Sequence, residues 1–327
     1  MTVADPGTAS RVVVTRRLPG PWLAPLEAAG LAVAMNDDDK ALTPGALRVW
    51  AAGASALWVQ LTDRVDAALL DAAGPALKVV ATYSVGVDHI DVDACHARGI
   101  VVAHTPDVLT DATADHTMML LLGIARQGPA GHRLARSGQW RGWEPTQLLG
   151  MDLKGATLGI VGLGRIGAAV AQRARAFGMR IAYHQRRPRP DVAGPLEARY
   201  VADLDELVGV ADVLTLHAPL TQATHHLLDE RRLRLMAPHA IVVNTARGAL
   251  IDEGALAAAL REGRLGGAGL DVFEAEPRVH PGLLDLPNVV LSPHTGSATH
   301  GTRKAMAELC SSAIVAVLRG DRPPNAL

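Results

Sequence analysis

The sequence predicts an α/β fold of two doubly wound parallel-sheet domains, and three observations predict it. Short apolar runs recur through the first hundred residues with helix-like stretches between them, a second such series follows, and a glycine fingerprint joins strand to helix where that second series begins. The first series is Val12 to Thr15, Leu31 to Ala34, Ala56 to Val59, Val79 to Tyr83 and Ile100 to Ala103. The second is Thr157 to Val161, Arg180 to Tyr183, Val213 to Leu216, Ala240 to Asn244, Ala268 to Asp271 and Val289 to Leu291. Strand alternating with helix predicts a parallel sheet for each. Between the two lies Asp107 to Ser137, helical in composition but interrupted by Gly128-Pro129; proline lacks the amide donor, so the helix is expected in two pieces. The stretch SGQWRGWEPTQLLGMDL that follows is rich in tryptophan and turn residues and is expected to be an arm suited to subunit contact. A last helix is expected from Ala298 to Arg319, before the paired prolines of DRPPNAL.

A chain of 327 residues has room for two domains, each with its own core. With 49% hydrophobic and 20% charged residues it is expected to be ordered nearly throughout. A net charge of -1 offers no general attraction to nucleic acid or to an anionic membrane, so the expected partner is a small molecule. The opening MTVADPGTAS lacks the apolar core of a signal peptide, and Met118 to Ala125 falls far short of the ~20 residues that span a bilayer. A cytoplasmic location is the expectation. Cys95 and Cys310 are too few and too isolated for a disulfide framework or a CxxC site, and are expected to be packing residues.

The strongest local signal is TLGIVGLGRIGAAVAQRARAFG, a β run feeding Gly162-x-Gly164-x-x-Gly167 and then an amphipathic helix. In that context the glycines read as a dinucleotide fingerprint: Gly162 for the tight turn, Gly164 for close approach of backbone to pyrophosphate, Gly167 for helix-strand packing. The helix start attracts phosphate. Where an NAD enzyme usually carries an acid for the ribose 2′-hydroxyl, this chain has His184, Gln185, Arg186 and Arg187. No acid stands there to repel a 2′-phosphate, and arginine supplies a fork of donors suited to it, so NADP(H) is preferred and NAD(H) remains possible.

Further on, VVNTARGALIDEGALAAALREGRLGGAGLDVFEAEP and NVVLSPHTGSAT resemble the signature of the D-isomer-specific 2-hydroxyacid dehydrogenases. The resemblance runs from about Arg11 to the end and is most specific between Thr157 and Thr299. It implies a flavodoxin-like substrate domain, residues 1–105 and 297–327, split in sequence around a Rossmann cofactor domain, residues 106–296, with the active site in the cleft. Reducing a 2-keto acid requires an anchor for the carboxylate, polarisation of the ketone and a proton for the nascent alkoxide. By motif, Arg247 of NTARG is similar to the family's substrate arginine, Glu276 of FEAEP to its histidine-orienting acid, and His294 of SPHTGSAT to its proton donor. A guanidinium fork can hold carboxylate and ketone oxygen together, and a carboxylate beside imidazole stabilises the imidazolium that donates. The loop YSVGVDHIDVDACHARGI resembles the family's substrate loop, with the amides of Val85 and Gly86 expected to bind the carboxylate. Asp88 and His89 are expected to cap the next helix and fix that loop. Family positions lining the cofactor fall on Thr113, Leu163, Arg165, Ile166, His217, Ala218, Pro219, Thr224, Thr245, Ala246, Asp271 and Gly296, besides the fingerprint glycines and His294.

Within the family, the run RSGQWRGWEPTQLLGMDLKGATLGIVGLGRIG looks most like glyoxylate and hydroxypyruvate reductases, including relatives that accept 2-ketogluconate. That likeness implies a homodimer in which Trp143 narrows the partner's pocket. Phosphite dehydrogenases place a lysine in the substrate loop, whereas here the only lysines are Lys40, Lys78, Lys154 and Lys304. Phosphoglycerate-type enzymes in their short form stay open, as does a dinucleotide-sensing, corepressor-like binding protein on the same scaffold. Formate dehydrogenases fit less well, since Glu276 and His294 are both of the hydroxyacid type. Two departures stand out: Gly128-Pro129 interrupts what is usually a longer helix, and Thr295 follows His294 where a bulky aliphatic residue is common. Adjacent residues are not expected to present two ligands to one ion, so His225-His226 predict no metal site.

Overall fold

The computed structural model describes residues 10–327. Residues 1–9, part of the expected first domain and of the stretch read as lacking a leader, lie outside the described residues. The chain divides into two compact units: the described residues up to Leu109 together with Thr299–Leu327, and Thr110–Ala298. These divisions fall two to four residues beyond the expected ones.

In the first unit, five parallel strands, β1 (Arg11–Val14), β2 (Ala32–Met35), β3 (Ala56–Val59), β4 (Val79–Thr82) and β5 (Val101–Ala103), stand in the order β2-β1-β3-β4-β5. This is the flavodoxin-like order. The apolar runs have no alternation because β3 and β4 are buried along their whole length, with helices on both faces. The C-terminal helix His300–Arg319 packs here, contributing Met306, Cys310 and Ile314 to the buried interior. Cys95 and Cys310 are both buried and unbridged; burial pushes the Cys95 thiol up to about 11, consistent with packing residues.

In the second unit seven parallel strands, β6 (Thr157–Val161), β7 (Arg180–His184), β8 (Arg199–Tyr200), β9 (Val213–Leu216), β10 (Ile241–Asn244), β11 (Gly267–Leu270) and β12 (Val289–Leu291), run β12-β11-β10-β9-β6-β7-β8. Counting from β6, this is the Rossmann order extended by one strand, and the order reverses between β6 and β9. Ligands of such sheets bind outside the carboxyl ends of the strands at that reversal. The edge strand β8 has two residues and no apolar run, so periodicity did not disclose it.

The helix Thr110–Ala125 lies across this sheet, and the sequence of β11 explains how closely. A side chain at Gly267 would stand 2.5 Å from Ile124, and one at Gly269 would stand 2.9 Å from Leu120, so the two glycines let the helix settle onto the strand. Helix and strand ends are thereby brought together, which positions Thr113 and His116 beside Asp271. The helix ends at Ala125, Gln127 adopts a left-handed φ of 53°, and a second helix, Gly128–Arg136, begins with proline in its first turn. The break therefore falls where Gly128-Pro129 predicts it, because proline suits a first turn that needs no amide donor. Residues 139–151 have no regular helix or strand, and Trp140, Trp143 and Leu149 are exposed there. Among the described residues no helix is long and apolar enough to cross a membrane.

Candidate active site

Three neighbouring strands, β10, β11 and β12, deliver the three residues expected to carry the chemistry. All run parallel, so the segments after them emerge at one edge of the sheet. Arg247 follows β10, partly buried and extended, with its turn tied by Asn244, whose Nδ2 donates to Arg247 O at 2.8 Å. The segment after β11 carries Glu276, whose Oε1 accepts from Phe273 N at 3.0 Å. After β12 comes His294, whose Nδ1 lies 2.9 Å from Glu276 Oε2. An ionised carboxylate at that distance requires the proton on Nδ1 and leaves Nε2 as the working nitrogen. Gly248 locks the first segment to the second: a Cβ there would stand 1.9 Å from Phe273 C and 2.3 Å from Glu274 N, so only glycine permits the Arg247 turn to rest on the Glu276 segment.

The His294 loop is held from below by Asp271. His294 has a left-handed φ of 54° and donates its amide to Asp271 O at 2.8 Å. The Asp271 carboxylate takes the next two amides, Thr295 at Oδ1 and Gly296 at Oδ2, each 2.8 Å away. Burial acts to raise the Asp271 carboxyl, yet the His116 hydrogen bond and the Thr295 amide hold it below the usual carboxylate range. His116 Nε2 stands 3.1 Å from Asp271 Oδ1. Motif reading passed over His116; the signal available was its i, i+3 spacing from Thr113, which puts both on one face of the helix. Thr117 Oγ1 donates to Thr113 O at 2.8 Å and lies 2.9 Å from Thr245 Oγ1, joining that helix to the end of β10. The Thr295 hydroxyl is 2.6 Å from Ser292 Oγ, so the polar residue in place of a bulky aliphatic one is tied into the turn around His294.

The fingerprint glycines flank the sheet's reversal point. Gly162 has a φ of 96°, and a Cβ on it would stand 2.8 Å from His217 O; one on Gly167 would stand 2.2 Å from Gly162 O. Gly164 faces open space and caps the helix Arg165–Ala176, leaving the amides of Arg165 and Ile166 in its first turn. That combination, two glycines demanded by backbone and one by openness, fits a dinucleotide pyrophosphate at a helix start. Leu163 lies inside this turn. Its side chain is buried and its amide donates to Gln185 Oε1 at 3.0 Å. Gln185 Nε2 in turn donates to Arg187 O, so Gln185 latches the glycine turn to the basic stretch after β7. Arg186 and Arg187 are exposed.

At the end of β9, His217 Nε2 lies 2.9 Å from Thr215 Oγ1, and desolvation pushes its ring down to about 4, which keeps it neutral. Ala218 and Pro219 follow, and the Thr224 hydroxyl donates to Pro219 O at 2.7 Å, so Thr224 shapes that loop. Ala246 donates its amide to Asn244 Oδ1 at 3.0 Å within the β10 turn.

The first unit holds Val85 and Gly86 in the loop after β4. Ser84 Oγ donates to Gly86 O at 2.7 Å, His104 Nδ1 stands 3.0 Å from Val85 O, and His89 Nε2 is 2.9 Å from Thr82 Oγ1. His89 thus helps fix the loop as expected, whereas the helix Val92–Ala97 is capped by Asp91, which accepts from Ala94 N, and not by Asp88. The cap must sit immediately before the first turn, and Asp88 is three residues too early.

A reversal point lined by a glycine turn, with an arginine and a histidine–carboxylate pair on neighbouring strand ends, defines a nicotinamide-dependent oxidoreductase. The family model of the D-isomer specific 2-hydroxyacid dehydrogenase NAD binding domain matches residues 118–296. Glyoxylate reductase of Thermococcus litoralis is 46% identical over 319 residues, 96% of each chain, and that of Korarchaeum cryptofilum is 50% identical over 268 residues, 81% of this chain and 80% of its own. Among solved structures, a protein of Thermus thermophilus is 50% identical with a TM-score of 0.91, covering 97% of this chain and 99% of its own. An NADPH-dependent glyoxylate/hydroxypyruvate reductase of Sinorhizobium meliloti, in complex with NADP and malonate, is 36% identical with a TM-score of 0.86 over 98% of this chain and 97% of its own. The chain belongs to the D-isomer specific 2-hydroxyacid dehydrogenase family and is an NAD(P)-dependent oxidoreductase.

Proposed function

We propose that the protein reduces a small 2-keto acid of the glyoxylate or hydroxypyruvate kind to the D-2-hydroxy acid, with NADP(H) preferred over NAD(H). The observation that carries this reading is the 2.9 Å contact between His294 and Glu276 on the strand ends next to Arg247. When bound, reduced nicotinamide supplies the hydride. Arg247 holds the carboxylate and polarises the ketone. As charge develops on the ketone oxygen, His294 Nε2 gives up its proton there, and the ring is left neutral with its other proton still on Nδ1 against Glu276. The names of the Thermococcus and Sinorhizobium relatives support the substrate class. Nicotinamide absorbance with a panel of glyoxylate, hydroxypyruvate, 2-ketogluconate and 3-phosphohydroxypyruvate tests it: turnover is expected with the small acids, and absence of turnover on every 2-keto acid would favour a cofactor-sensing protein.

The preference for NADP(H) rests on the exposed Arg186 and Arg187 and on Gln185 standing directly after β7 where an acid would hold the ribose 2′-hydroxyl. Loss of a charge-assisted bond to phosphate costs about 1.5–3 kcal/mol, so Arg186→Ala is expected to lower the NADPH to NADH ratio of kcat/KM by about 10- to 100-fold. An unchanged ratio removes Arg186 from the assignment.

A homodimer built on the arm belongs to the same proposal. Trp140, Trp143 and Leu149 are 55%, 82% and 67% exposed, and large apolar side chains clustered on one segment mark an interaction surface. Trp143→Ala is expected to shift substrate preference toward larger acids, or to weaken the dimer in analytical ultracentrifugation. If both readouts match the wild type, Trp143 has no part in either.

A further inference from the structure

We infer that His225, His226 and Glu274 form a binding site for a zinc-class divalent ion on the second unit, apart from the residues assigned to the reaction. One ligand atom from each lies within 4.8 Å of the others. Adjacent residues of an extended chain point to opposite sides, which is why His225-His226 predicted no such site. Here His226 adopts a left-handed φ of 47°, and the turn brings the two rings side by side with centroids 4.1 Å apart and planes inclined by 31°.

Both halves of the site are held by backbone. His226 N donates to Ala249 O and Leu228 N to Leu250 O, at 2.8 and 2.9 Å, pinning the histidine segment against the turn after Arg247. Glu274 N donates to Glu253 Oε1 at 2.9 Å, and Glu253, only 4% exposed, returns its own amide toward Glu274 Oε2 at 3.5 Å. One carboxylate oxygen of Glu274 is thereby directed at Glu253, while the other meets His226 Nε2. This is the arrangement in which a second set of contacts orients a metal's ligands.

Two imidazoles and one carboxylate, with the fourth position left to water, match the donors and geometry of zinc. Bonds of about 2.0–2.2 Å in a tetrahedron set ligand atoms roughly 3.3 Å apart, so the widest pair closes by at most about 1.5 Å, while His226 Nε2 and Glu274 Oε1, now in direct hydrogen-bond contact, move apart to admit the ion. Rotation of the exposed His225 ring supplies that movement. The ion takes the place of the proton between His226 Nε2 and Glu274; from a neutral ring that proton passes to Nδ1, and from an imidazolium it leaves to solvent, so the ring binds as neutral imidazole in either case.

The test uses untagged, chelator-treated protein titrated with Co2+ and with Zn2+. Wild type is expected to bind one ion per chain, to show the visible absorption of low-coordinate Co2+, and to lose that absorption when Zn2+ is added. Zinc at 100-fold over its Kd is expected to raise the melting midpoint by about 5 °C. His225→Ala and Glu274→Gln are each expected to weaken binding by at least about 10-fold, since even the outer partners of a metal contribute that much. Wild type that takes up neither ion, or a His225→Ala variant that binds as tightly as wild type, overturns the site. If Glu274→Gln fails to fold, the exposed His225 decides the outcome alone.

Discussion

Replacement of His294 by glutamine is expected to lower kcat/KM for glyoxylate or hydroxypyruvate by about 10²- to 10⁴-fold, the usual contribution of a positioned general acid. The loss should come without unfolding. The histidine side chain is 30% exposed, and its unusual backbone is held by contacts its ring does not make: its own amide to Asp271 O, and the Thr295 and Gly296 amides to the Asp271 carboxylate. Glutamine keeps a polar group of similar reach but cannot become a cation, so it tests proton donation more than packing. Steady-state kinetics on the variant, with its circular dichroism and melting midpoint beside those of wild type, separates the two. A variant that keeps most of the wild-type kcat/KM would remove His294 from the chemistry.

The second large effect is expected at Gly248, a residue that touches no substrate in this reading. A methyl group there would lie 1.9 Å from Phe273 C, 2.3 Å from Glu274 N and 2.3 Å from Phe273 O, all backbone atoms that cannot swing aside. Overpacking of a core costs about 1–3 kcal/mol and more where nothing yields, and Gly248→Ala is expected at or above the upper end. Because Arg247 precedes the contact and Glu276 follows it, whatever protein folds should also lose activity. Gly301→Ala is the control: nothing lies within 4 Å of its Cβ direction, so a near-neutral change is expected. A Gly248→Ala protein that melts within a degree of wild type would show that the two segments are not locked together as described.

What could be read from the sequence follows the range of the interactions involved. The strand runs were visible because parallel strands buried on both faces are continuous apolar words, and the break at Gly128-Pro129 was visible because it is a property of one residue's missing amide. The strand Arg199–Tyr200 was not, having only two residues and a neighbour on one side. The helix cap was placed on Asp88 instead of Asp91 because both are acids near a helix start and only the exact turn chooses between them. Glycine spacing announced a dinucleotide turn, but the reason Gly162 and Gly167 must be glycine lies in His217 O and Gly162 O, the first of them contributed by a strand far along the chain. His116, and the contacts made by Gly248 and Gln185, could not be read from motifs for a common reason: each acts through a partner distant in sequence, Asp271, Phe273 and Leu163, and no local pattern encodes that partner. The side-by-side rings of His225 and His226 were not foreseen because the rule for adjacent residues assumes extended backbone, and one positive φ sets it aside.

The most direct test of the chemistry follows the hydride itself. Incubation of the protein with hydroxypyruvate and NADPH carrying deuterium at the transferred position of C4 is predicted to give glycerate of D configuration with one deuterium at C2, and the same incubation with Arg247→Ala is predicted to give at least about 10²-fold less in the same time. Unlabelled glycerate, the L isomer, or equal labelling by Arg247→Ala would contradict the roles assigned to Arg247, Glu276 and His294.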